Sequence, residues 1–195
     1  MGDNAESNDF FTFKVNSYYK TISSASLSLV ASVILVVMIM KSGPRLSTPY
    51  HRIIFALSAG DALVSLAFIT GPFSAPEGTS WAPWGVGNIH TCNANGFIKE
   101  WGVVAVQLYT VLICLYFYCK LNRQMTHSTF YEKIEKKFHA FMILYTSVVC
   151  FSALFTKTFN PLPSGATCGF SRYPDGCRLT NSCTRGTLGL IYVFL

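Results

Sequence analysis

Asp61 is the only charged residue in the run Ile53 to Phe73, where it is ninth of 21 residues. A carboxylate at that depth in a bilayer costs about 2.5–3.5 kcal/mol on insertion scales, so it must face protein or trapped water. Ser58 and Ser65 lie within a turn or so of it, and Ser32 sits in the preceding apolar run. Together these oxygens make a hydrated polar cluster that holds Na⁺ or a proton. The plainer alternative is a neutral Asp61 hydrogen-bonded to serine. Of seven cysteines, Cys114, Cys119 and Cys150 lie in or at the end of apolar runs and read as small apolar residues. Cys92, Cys168, Cys177 and Cys183 lie outside those runs, and on alternating topology all four fall on one side, as disulfide chemistry in an oxidising compartment requires. Four cysteines allow three connectivities. Lys99 and Glu100 come about two turns inside Cys92. Helical neighbours point about 100° apart, so one of the two aims inward as a polar anchor for a ligand, or both snorkel to the interface. Trp101 beside them either stacks on that ligand or joins Trp81 and Trp84 in a headgroup belt. His51, His90, His127 and His139 have no metal-ligand spacing, and no phosphate loop or nucleophile elbow occurs. The chain does not read as an enzyme, and no metal centre is expected beyond the Na⁺ near Asp61.

The elements that carry these residues are membrane spans. Ile22 to Met40, Gly102 to Cys119 and Ala140 to Thr156 hold no charge, and Ile53 to Phe73 holds one. A crossing helix needs about 20 apolar residues, with 17–25 workable. Charged residues make up 12% of the chain against roughly 25% in soluble domains. That balance excludes disorder and argues against a soluble globular protein. The net charge of +6 reads as loop charge, without the aromatic-interleaved basic stripe of a nucleic-acid binder. The fold expected is all-α, a polytopic transmembrane helix bundle embedded in a lipid bilayer. Its segments are an extracellular stretch 1–20, then spans at about 21–41, 52–73, 93–120 and 138–159. A further apolar run, 187–195, reads as an incomplete fifth span and the chain as a piece of a longer protein.

Lys41, Arg45 and Arg52 follow span one closely, and Lys120, Arg123, Lys133, Lys136 and Lys137 follow span three. By the excess of cations near span ends, these loops face the cytoplasm and the N-terminus lies outside. Asp3, Glu6 and Asp9 open the chain, unlike the basic start of a signal peptide. The segment Tyr131 to Lys137 predicts a short inner helix leading into span four, with Glu132 and Lys136 as an i,i+4 pair. Arg45, Arg52, Arg123, Lys133, Lys136 and Lys137 form either an inner docking face for a G protein or anionic lipid, or a simple topology signal.

The passage Tyr50-His51-Arg52-Ile53-Ile54-Phe55-Ala56-Leu57-Ser58-Ala59-Gly60-Asp61 carries a Leu-Ser-x-x-Asp signature, Cys92 precedes span three, and Tyr173-Pro174-Asp175-Gly176-Cys177 sits in the next outer loop. In this order they resemble G-protein-coupled receptors, of the rhodopsin-like and cAMP-receptor-like kinds found in algae and protists. The resemblance covers about Ile22 to Leu195, five of seven helices. It departs from the family at Ser32, where rhodopsin-like receptors carry Asn, at Tyr116-Phe117-Tyr118, where they carry an acidic-Arg-aromatic triplet, and in a span four without Trp. What it implies is a seven-helix receptor truncated in helix five, an unknown extracellular ligand, a heterotrimeric G protein as partner, a plasma-membrane location, and an allosteric sodium site at Asp61. It also implies a disulfide from the start of helix three to the second outer loop. Cys177 is the favoured partner of Cys92 because it follows the Tyr-Pro element, leaving Cys168 and Cys183 to each other. The competing readings are an ion-coupled transporter or channel subunit with Asp61 on the ion path, and a four-span structural membrane protein.

Overall fold

A computed structural model describes residues 3–79, 82, 84–162, 167–174, 177, 183–187 and 192, with side chains from Asn16 onward, Ser17 apart. The described elements are α1 (Asp3–Lys41), α2 (Pro49–Ser74), α3 (Ile89–Leu121), a short α4 (His127–Phe130), a π-helical turn (Tyr131–Glu135), α5 (Lys136–Phe155), and strands β1 (Phe159–Leu162) and β2 (Thr167–Phe170). Among the described residues, four segments are long and apolar enough to cross a membrane: Tyr18–Lys41, Pro49–Ser74, Ile89–Leu121 and His127–Phe155. They match the expected spans within a few residues at most ends. The fourth starts about three turns earlier, because α4 and the π turn run without a break into α5.

Local chemistry sets the helix starts. The Thr48 side chain accepts from the His51 amide, and Pro49 takes the first turn, where its missing N–H is no loss. Asn88 and Thr91 form a reciprocal capping box at α3. α2 and α3 cross closely at Gly60 and Gly102, where a Cβ on Gly102 would stand 2.7 Å from Val64 Cγ2. Small residues at such a crossing let backbones approach, which drives helix association when lipid removes the hydrophobic term. The largest buried cluster holds Ile53, Ala105, Tyr109, Leu112, Tyr116, Cys119, Phe130 and Met142. It lies toward the end where α2 starts and α3 finishes. Elsewhere, large apolar side chains face outward: Leu27, Val30 and Met38 on α1, and Ile143, Leu144, Val148 and Phe155 on α5. Exposed apolar faces of that extent suit lipid rather than water.

The all-α expectation needs one correction. After α5 the chain turns into an antiparallel hairpin, with Phe159 opposite Phe170 and Leu162 opposite Thr167. The fourth span was drawn to 159, but α5 stops at Phe155 and Phe159 opens β1. The fifth run, 187–195, lies outside the described residues except for Thr187 and Tyr192.

Candidate functional site

Two cross-links fix which helix ends share a side. Cys92 at the start of α3 is bonded to Cys168 in β2, with Cα atoms 5.4 Å apart. Arg52 at the start of α2 is paired with Glu135 at the start of α5. The helices therefore alternate in direction, with the hairpin at one end of the bundle and the basic loops at the other.

At the hairpin end the predicted pairing is corrected. Cys92 bonds Cys168, not Cys177, and Cys177 bonds Cys183 across six residues. The reason is placement: β2 packs against α2 and α3, which brings Cys168 to the start of α3, whereas Cys177 belongs to the later loop. Asn95 of α3 donates to the Ala67 carbonyl (2.9 Å) and accepts from the Thr167 hydroxyl (3.3 Å), tying α2, α3 and β2 together. Arg185 donates to the Oδ1 atoms of Asn160 (2.9 Å) and Asn93 (3.1 Å). Burial draws its pKa below the usual guanidinium range, and guanidinium remains charged all the same. Phe159 presses on Gly96, where an added Cβ would meet its ring at 2.8 Å.

Beneath the hairpin Lys99 Nζ pairs with Glu100 Oε1 at 2.9 Å, and both side chains are largely buried. Lys99 does not snorkel. The pair lies under Gly169 of β2, with the Lys99 ammonium 5.8 Å from the centre of the Phe68 ring. Trp101 packs against the large core cluster rather than standing in an outer belt. Trp84 stacks on Tyr18 at 4.7 Å, and Trp81 lies outside the described residues.

Asp61 faces α1. Its Oδ2 accepts from Ser28 (2.7 Å) and Ser32 (2.5 Å). Ser28 carries half of this contact and was not among the predicted members; its signal was the four-residue spacing to Ser32. Ser58 is buried, and its hydroxyl has no partner among the described residues, so it does not join the cluster. Ser65 is buried beside a cleft of about 470 Å³ between α1 and α2, which Lys20, Thr21, Ser24, Ser28 and Asp61 also line. A carboxylate with several hydroxyls is a hard-oxygen set suited to Na⁺.

At the opposite end Arg45, Arg123, Lys133, Lys136 and Lys137 are exposed, as a docking face requires. Arg52 is not available to it. Its Nε and one terminal nitrogen hold both oxygens of Glu135 at 2.6 and 2.8 Å, and the other donates to the Leu46 and Ser47 carbonyls. No family model matches the chain, and no curated protein matches it.

Proposed function

We propose that this chain is part of a seven-helix, G-protein-coupled-receptor-like signalling receptor, resident in the plasma membrane with its N-terminus outside. One observation carries the reading: the Cys92–Cys168 bond ties the start of α3 to the loop that follows the fourth apolar helix. That is the link the receptor resemblance implies. It holds a hairpin over the helix ends, above the buried Lys99–Glu100 pair. An extracellular ligand reaching those charges would be met by the hairpin, and its binding energy would select one of two helix packings. The exposed cations at the far end, Arg45, Arg123, Lys133, Lys136 and Lys137, would present the choice to a heterotrimeric G protein. Asp61 with Ser28 and Ser32 supports a Na⁺-sensitive packing between α1 and α2.

A four-span structural membrane protein is equally compatible with the four apolar helices. The two readings part in one experiment. Membranes carrying the full protein are treated with apyrase, and purified heterotrimeric G proteins of each α-subunit class are added. The receptor reading expects capture of one class and its release by a non-hydrolysable guanosine triphosphate analogue. Failure to capture any class refutes it and leaves the structural reading.

A further inference from the structure

Glu135 is fully buried although it sits at the loop end of α5, and it closes a π-helical turn rather than an α-helical one. Single π turns inside helices are rare and recur at functional positions. Five side chains from three helices and the turn meet there. Arg52 grips Glu135 with two parallel hydrogen bonds of 2.6 and 2.8 Å, and its guanidinium lies 4.8 Å from the centre of the Tyr131 ring. His139 Nε2 faces Glu135 Oε1 at 3.5 Å. The ring's Nδ1 lies within hydrogen-bond distance, 2.8 Å, of the hydroxyl of Tyr109 on α3. The chain Arg52–Glu135–His139–Tyr109 thus ties the starts of α2 and α5 to the inner half of α3.

We propose that this chain is a latch: it holds the three helices together at the basic-loop end and keeps Tyr131–Glu135 in π geometry. The physical case rests on how such a pair fails. A buried ion pair adds little beyond apolar residues of the same volume, yet removing one partner is strongly destabilising because a charge is left buried alone. The contact therefore breaks steeply, as a two-position element must. Arg52 is a quarter exposed while Glu135 is sealed, so the latch opens from the Arg52 side. Once Glu135 is free, the turn relaxes to α geometry. The loss of one residue of π register swings Glu132 and Lys133 by about 100° against α5. The exposed cations Lys133, Lys136 and Lys137 are then presented differently at that face. The latch stands apart from the receptor reading, since it needs no ligand and no G protein.

A native thiol reports on it. Cys119 is buried in the cluster with Ile53, Tyr116 and Phe130, into which Tyr109 of the latch also packs. Cys150 is buried farther along α5 and serves as a control for the intact bundle. In a Cys114→Ala background, sealed vesicles with the basic loops outward are treated with a membrane-impermeant maleimide. Glu135→Gln is expected to speed Cys119 labelling at least about tenfold while Cys150 stays protected. Tyr109→Phe keeps every charge and removes one hydroxyl, and is expected to give about a twofold to fivefold increase. The swap of Arg52→Glu with Glu135→Arg should bring the rate back to within about twofold of the parent. A parental Cys119 rate in Glu135→Gln overturns the proposal. Where Glu135→Gln also exposes Cys150, Tyr109→Phe decides, and a parental Cys119 rate there overturns it as well. A swap that leaves Cys119 fast while Cys150 stays protected overturns the pairing.

Discussion

Replacing Cys92 with Ser removes the bond that joins α3 to β2 across 76 residues. Treated as a free loop, closure of that length is worth about 4.5 kcal/mol at 25 °C. In a bilayer the estimate must be trimmed, because an opened bundle keeps its spans helical. Between Cys92 and Cys168 the described helices cover all but 122–126 and 156–167. A flexible loop of about 17 residues gives about 3 kcal/mol by the same relation. The loss in Cys92→Ser is therefore about 3–4.5 kcal/mol, against about 2 kcal/mol for the six-residue ring of Cys177 and Cys183. The assay is equilibrium unfolding of the purified protein in mixed micelles with increasing SDS, followed by tryptophan fluorescence. Cys168→Ser should match Cys92→Ser, and the double variant should be no worse than either single one, since both remove one bond. If Cys177→Ser instead matched Cys92→Ser and failed to add to it, the pairing would be Cys92–Cys177 and the account of the hairpin would be wrong. An unchanged midpoint in Cys92→Ser would refute the bond's structural role altogether.

Further expectations concern the other contacts. Asp61→Asn should abolish any rise in melting temperature produced by NaCl over KCl, whereas Ser58→Ala should leave it intact; retention of the sodium effect in Asp61→Asn removes the ion site. Gly96→Ala forces a Cβ to within 2.8 Å of the buried Phe159 ring and should destabilise by about 1–3 kcal/mol, read as an earlier SDS midpoint. Lys99→Met leaves Glu100 buried without its partner and should destabilise, while adding Glu100→Leu should recover much of the loss. No recovery in the double variant would show that the two charges are not mutually compensating.

The spans were legible because hydropathy over some 20 residues is a collective signal that no tertiary contact can override in lipid. Asp61 was legible for the same reason: a single charge in such a run must find partners, and Ser32 was found from the neighbouring span. Ser58 and Ser65 were drawn in by nearness in sequence, yet α1 supplies both hydroxyls that reach the carboxylate. The hairpin was illegible. Phe159-Asn160-Pro161-Leu162 shows no strand alternation; it is extended because it pairs with Thr167–Phe170, which Cys92 and Asn95 hold in place, and because Arg185 bonds Asn160. The disulfide pairing was open because four cysteines on one side do not reveal placement. Arg52 and Glu135 are 83 residues apart, and each taken alone resembled ordinary loop charge.

The orientation proposed above puts the hairpin end outside and the basic loops inside. It is tested most directly by placing single cysteines at Val86, which is 79% exposed at the hairpin end, and at Arg123, exposed at the other. Intact cells are then treated with a membrane-impermeant thiol reagent. The account predicts labelling of Val86→Cys in intact cells and of Arg123→Cys only after permeabilisation. Equal labelling of both in intact cells, or the reverse pattern, would contradict it.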